Sequence, residues 1–227
     1  MTKKIELKKQ YILLDSVGIR RPSQRTVGVE TFATFQTIET VQKADVVCLV
    51  FDGTEPLAHQ DQLIAGIAKE AKKGIVVVIN KIDEMSEQDK ASVLKQFHHK
   101  FAFLKIQNTA WVSAKTGENL HEIWNAVDAA VEEQKRSIGV EEMRKLFNYL
   151  MKQRPPKKLK LKKKPIVYDF VFVKSSPLTF ELLVKDKTCV HWSYLRFLEN
   201  VVRQNFGFSN NQIEIKVTEV EKKKIMG

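Results

Sequence analysis

Three short runs constrain this chain more than anything else in it: "DVVCLVFD" (45–52), "GIVVVIN" (74–80) and "TAWVS" (109–113). Each is apolar at consecutive positions and rich in β-branched residues. A strand with one wet face alternates apolar and polar side chains. A strand apolar throughout needs cover on both faces, the condition of a parallel sheet between layers of helices. "YILLD" (11–15) reads the same way. Helical spacing fills the intervals: "DQLIAGIAKEA" (61–71) sets Leu63, Ile64, Ile67 and Ala71 on one stripe. "NLHEIWNAVDAAVEE" (119–133) does so with Leu120, Ile123, Trp124, Val127 and Val131. Strand alternating with helix predicts an α/β doubly wound domain over residues 1–137.

Residues 138–227 follow another pattern. "EEMRKLFNYLMKQ" (141–153) is amphipathic, with Met143, Leu146, Phe147 and Leu150 on one face, and Pro155-Pro156 stops it. "IVYDFVFV" (166–173), "LTFELLVKD" (178–186) and "QIEIKVTE" (212–219) read as strands. The last places Ile213, Ile215 and Val217 inward and Glu214, Lys216 and Thr218 outward. "WSYLRFLENVVRQNFG" (192–207) predicts a helix with Trp192, Leu195, Leu198, Val202 and Phe206 toward the core and Gly207 as its stop. The expectation is a small α+β domain.

Charge divides at the same place. Residues 1–137 hold 19 Lys and Arg against 18 Asp and Glu; residues 138–227 hold 19 against 9, so the net +11 of the chain lies almost wholly in the second part. The densest stretch, "KQRPPKKLKLKKK" (152–164), has eight basic and no acidic residues. It reads either as a solvated linker or as a contact for nucleic-acid phosphates through Lys157, Lys158, Lys160, Lys162, Lys163 and Lys164. Apolar runs reach about six residues, far short of the ~20 of a spanning helix, and the first ten residues carry four lysines and no apolar segment. Neither a membrane span nor a signal peptide is expected, and a cytoplasmic location is. The two cysteines offer no metal-ligand spacing and no disulfide framework, and Cys48, inside "VVCLVF", is expected to be a buried, inert thiol.

Open parallel sheets bind ligands beyond the carboxyl ends of their strands. Three of the predicted strands end there in polar residues: Asp15, then Asn80-Lys81-Ile82-Asp83, then Ser113-Ala114-Lys115. Each is weak alone; in this order, each at a strand end, they are specific. The Asp83 carboxylate can accept from the ring N–H and exocyclic amine of guanine, donors that adenine does not offer together. Asn80 can bond the imidazole side of the base, the stems of Lys81 and Lys115 can flank its plane, and the Ala114 N–H can donate to its carbonyl. Asp52 and Asp61 read as a strand-end turn and a helix N-terminal charge, and His98-His99 as a solvated helix end.

These motifs resemble the later part of a P-loop GTPase domain. "DSVG" (15–18) stands where the family has its Asp-x-x-Gly motif, which implies that Asp15 holds magnesium through water and that the Gly18 N–H meets the γ-phosphate; "NKID" and "SAK" match the base-reading motifs. With "GIRR" after the first motif and a basic α+β domain behind, the chain resembles the end of a bacterial Der (EngA) GTPase. The implied fold is an incomplete P-loop-GTPase-type doubly wound sheet followed by a KH-like domain. The implied ligands are GTP or GDP with Mg2+. The implied partners are the large ribosomal subunit and its RNA, whose assembly that family serves, and a missing GTPase portion in cis or in trans.

The departures are as specific. No Gly-x-x-x-x-Gly-Lys-Ser/Thr occurs, nor any Gly-Lys dipeptide, so the phosphate cradle and the strand that carries it are absent from this sequence. Val17 stands where the family has the smaller Ala, and residues 138–227 hold no Gly-x-x-Gly to grip single-stranded RNA. In the family's sheet the missing strand separates the strand ending at Asp15 from that ending at Asp52. Here those two must pair directly or leave a gap with unsatisfied backbone groups. A fragment, a start read from an internal Met, and a degenerate paralogue all fit the sequence. The nucleotide site is therefore expected to bind weakly or not at all by itself, and the alternative function is that of a ribosome- or RNA-binding module without turnover.

Overall fold

A computed structural model describes residues 10–15, 36–106, 108–158 and 163–221, together with the backbone of 2–6. The chain divides into two compact units, Met1–Val131 and Glu132–Gly227.

The first unit contains a parallel three-stranded sheet, β3 (Val46–Asp52), β4 (Gly74–Asn80) and β5 (Thr109–Trp111), in the order β3-β4-β5. Every residue of β4 from Gly74 to Ile79 is buried, as its unbroken apolar run requires. The pleat sends alternate side chains to opposite faces. On one face, Ile75, Val77 and Ile79 join Leu49, Phe51, Ala65, Ala68, Phe97, Phe101 and Leu104 in a core. Within it, Phe97 stacks on Phe101 at 4.9 Å and Phe51 meets Phe101 edge-on at 5.2 Å. On the other, Val76 and Val78 pack with Ala110, Val112 and Val127, against which Leu120, Ile123 and Tyr11 are also laid. The helices of these two layers are α2 (His59–Glu70) and α3 (Glu87–Lys100) on the first face and α4 (Leu120–Lys135) on the second. A further helix, α1, is described over 36–43. The doubly wound expectation holds.

The N-terminal strands do not. The segment 11–15 was expected to be buried on both faces of the parallel sheet. Instead β2 (Gln10–Leu14) pairs antiparallel with β1 (Thr2–Glu6) in a sheet of two, and Ile12 is 74% exposed. Among the described residues β3 hydrogen-bonds only to β4. Among the described residues β2 and β3 do not pair with each other. On β3, Leu49 and Phe51 are buried while Cys48 and Val50 are exposed. Cys48, expected as a buried thiol, is exposed as a residue, while burial around its sulfur still pushes the thiol up to about 11. In α2 the stripe is also displaced. Leu63 is 58% exposed, and the helix buries Asp61, Ala65 and Ala68 instead. Asp61 is buried because its carboxylate accepts the Ala58 N–H at 2.9 Å, satisfying the first turn.

The second unit packs α5 (Val140–Gln153) and α6 (Trp192–Phe206) on a sheet of β6 (Val167–Ser175), β7 (Leu178–Val184) and β8 (Glu214–Glu219), with β6-β7 antiparallel and β7-β8 parallel. Met143, Leu146 and Leu150 of α5 join Phe170, Phe180, Leu182, Leu198, Val202 and Phe208 in its core. Gly207 ends α6 at φ 71°, a left-handed conformation glycine adopts without steric cost, and its N–H bonds the Arg203 carbonyl at 2.8 Å. Trp192, expected in that core, stands 59% exposed. The last turn of α4 belongs with this unit for a specific reason. Glu133 accepts from the backbone N–H groups of Ser209 and Asn210 at 3.0 and 3.1 Å and from the Asn211 amide at 2.8 Å. Opposite, the buried Arg203 donates to the carbonyls of Phe208 and Asn211. Among the described residues no helix is long and apolar enough to cross a membrane.

Candidate functional site

The parallel register sets Asp52 beside Asn80 and Ile79 beside Trp111, so the carboxyl ends of β3, β4 and β5 finish in one crest. Backbone bonds tie it together. The Gly53 N–H donates to the Asn80 carbonyl at 2.9 Å, Val112 N–H to Ile79 at 2.9 Å, and Ile82 N–H to Val112 at 3.2 Å. Gly53 is where the approach is closest: a Cβ there would lie 2.3 Å from the Met85 sulfur and 3.0 Å from the Asn80 carbonyl oxygen.

Side chains complete the assembly. Asn80 Oδ1 accepts the Ala114 N–H at 2.9 Å, joining two motifs that lie 34 residues apart. Ser113 is fully buried, and its hydroxyl accepts the Thr116 N–H at 3.1 Å. The Asp83 carboxyl sits below its ordinary pKa chiefly through the Ser113 hydroxyl, with Lys115, 3.8 Å away, and Lys81 adding to it. Lys115 also lies 3.4 Å from Glu84. Lys81 occupies the left-handed region at φ 69° and ψ 35°, a costly conformation for a residue with a Cβ. Its ammonium meets Asp52 at 2.6 Å. Asp52 in turn accepts from the Thr54 N–H at 3.0 Å and hydroxyl at 2.7 Å. Burial alone pushes the Asp52 carboxyl up, but Lys81 and the two Thr54 donors outweigh it and bring it down to about 2. Lys81 is correspondingly raised, above all by Asp52.

The structure thus brings together Asn80, Lys81, Asp83, Ser113, Ala114 and Lys115. One of the roles read from sequence meets competition: the Ala114 N–H is held by Asn80 Oδ1. The two lysine ammoniums lie against carboxylates, which does not engage the stems expected to flank the base. Asp15, exposed at the end of β2, makes no side-chain bond among the described residues, and Gly18 lies outside them. Lys157, Lys158, Lys163 and Lys164 are exposed, whereas Lys160 and Lys162 lie outside the described residues. Asp52 as the anchor of Lys81 was not read from sequence; a strand-end Asp followed by Gly-Thr was the available signal. Among the described residues no group of three His, Cys, Asp or Glu could hold a metal. Asp15 alone does not make a magnesium site.

Residues 26–133 match the family described as the Elongation factor Tu GTP binding domain, and residues 138–218 the KH-domain-like family of EngA bacterial GTPase enzymes, C-terminal. The GTPase Der of Lachnospira eligens is 36% identical over 211 residues, and that of Caldanaerobacter subterraneus 35% over 210; the matches cover 90% and 91% of this chain. The chain belongs to the Der (EngA) GTPase family. It spans about half, 47%, of the length of these Der relatives. Among solved structures, that of Era in complex with MgGDPNP and nucleotides 1506–1542 of 16S ribosomal RNA aligns with 98% of this chain and 82% of its own at 18% identity. Its TM-score of 0.50 shows a shared fold. The crest of Asn80–Asp83 and Ser113–Lys115 is thus carried by a Der-type GTPase fold, and the basic segment lies within its KH-like part.

Proposed function

We propose that the crest reads a guanine base, as the Der relatives' name implies for GTP, and that the KH-like unit holds the protein on ribosomal RNA during assembly of the large subunit. The observation that carries the first part is the Asn80–Ala114 bond, which gathers both base-reading motifs at one place. Beside it the Ser113 hydroxyl holds the Asp83 carboxyl below its ordinary pKa. For contact with RNA the support is the net charge of residues 138–227, beside a neighbour of the same fold, Era, in complex with 16S ribosomal RNA; the large subunit is carried over from the Der resemblance.

The nucleotide half of the function is incomplete in this sequence. Base recognition without a phosphate cradle must meet an association cost of at least ~4 kcal/mol, and the hydrogen bonds of one base edge leave dissociation near millimolar or weaker, on the order of 4 kcal/mol of binding. The second reading, an RNA-binding module without turnover, gains from the Ala114 N–H and Lys81 ammonium already being engaged within the protein. Titration calorimetry with GDP and magnesium tests the two. The 227-residue chain is expected to show no binding at sub-millimolar GDP and no hydrolysis of GTP. A phosphate-loop strand supplied in cis or in trans should restore binding under the first reading and not under the second. Micromolar affinity of the chain alone would overturn the half-site argument.

A further inference from the structure

Trp192 opens α6 with 59% of its surface exposed, although helical spacing assigns it to the core stripe. What surrounds it is polar. Arg196, one turn along, sets its guanidinium 5.0 Å from the centre of the indole ring. The His191 imidazole lies 5.1 Å away, tilted by 41°. His191 is itself held as the N-cap: its Nδ1 accepts the Ser193 N–H at 3.3 Å and lies 2.6 Å from the Ser193 hydroxyl. Arg196 makes no ion pair among the described residues. The indole therefore has a fixed imidazole and an unneutralised cation beside it, with much of its surface open to solvent.

We propose that Trp192 is a stacking platform for an unpaired RNA base, with Arg196 as the cation over the indole and toward the phosphate beside that base. This inference rests on the RNA-binding reading above. Aromatic rings accept any base because every base has a π-face, and arginine adds a cation–π contribution and charge complementarity. An apolar protein partner is the poorer fit. His191, Ser193 and Arg196 beside the indole are all exposed and polar, whereas the centre of a protein interface is depleted of charge. The unit's excess of 19 basic over 9 acidic residues between 138 and 227 favours a polyanion. The basic segment would supply sequence-indifferent phosphate contacts and Trp192 the selection for unpaired bases. This would serve in a domain whose sequence lacks the Gly-x-x-Gly grip.

The test measures binding of the whole chain to a short labelled oligoadenylate and to an RNA duplex at low salt. Trp192→Ala should weaken the single strand about tenfold, leave the duplex unchanged and keep the salt slope, while Trp192→Phe should retain most of the affinity. Replacing Lys157, Lys158, Lys163 and Lys164 by Gln should weaken both RNAs and flatten the slope. If the lysine variant loses binding and Trp192→Ala does not, the platform is wrong and the RNA reading stands. If the unaltered chain binds neither RNA, both fall. If Trp192→Ala abolishes self-association in sedimentation yet leaves RNA affinity untouched, the indole serves a protein contact and the proposal is overturned.

Discussion

Replacing Asp52 by Asn separates the charge that holds Lys81 from the turn that Asp52 also makes. Asparagine keeps an oxygen for the Thr54 donors but has no charge for the ammonium 2.6 Å away. The Asp52 carboxyl lies at about 2 against an ordinary 3.8. At ~1.4 kcal/mol per unit this shift caps its linked stabilisation at roughly 2.5 kcal/mol. Because the Lys81 side chain is 46% exposed, solvent screening brings the expected value to about 1 kcal/mol. The sign follows from a depressed carboxyl: the stabilisation is fully present above the unfolded pKa of 3.8 and is lost as pH falls through the folded value of about 2. Hydrogen–deuterium exchange of peptides from β3 and β4 under increasing urea reads the opening of this unit. Wild type should exceed Asp52→Asn by about 1 kcal/mol at neutral pH, and the gap should close between roughly pH 4 and pH 2 and shrink in high salt. Parallel curves for the two proteins across that window would refute the assignment of the shift to the Lys81 pair.

Ser113→Ala removes a buried hydroxyl that accepts the Thr116 N–H and should cost about 1–3 kcal/mol; in a carboxyl NMR titration it should move Asp83 upward toward its ordinary pKa, and an unmoved Asp83 would mean that Ser113 does not act on it. Arg203→Met leaves the buried carbonyls of Phe208 and Asn211 without their donor and Glu199 without its cation, so the second unit should lose about 3–5 kcal/mol, read as a large drop in its thermal midpoint; a loss under about 1 kcal/mol would mean that the Glu133 contacts hold the 207–212 loop alone.

Much of the fold is legible locally. The runs at β3, β4 and β5 declare a sheet covered on both faces because β-branched residues without polar interruption have no wet side to present, and the polar turns that end them are where such a sheet binds ligands. Helix α3 carries its own start signal in Ser86-x-x-Asp89, where the serine hydroxyl and the aspartate carboxylate exchange bonds with each other's backbone N–H. The family of the chain is equally local, since motif order survives without a structure.

Other features depend on which element lies beside which. Residues 11–15 read as apolar as β4, yet β2 is largely exposed and paired with β1: a strand's burial is decided by its neighbours, and β2 has β1 beside it rather than the parallel sheet. Leu63 and Trp192 fall on acceptable helical stripes, but periodicity defines a face only to within a residue or two, and the packing partner chooses the rest. The bonds of Asn80 to Ala114 and of Asp52 to Lys81 join residues 34 and 29 positions apart. Spacing along the chain says which side chains have the chemistry to meet. Only the parallel register, by bringing the strand ends level, decides that they do, and that Lys81 turns to Asp52 while Asn80 takes the amide of Ala114.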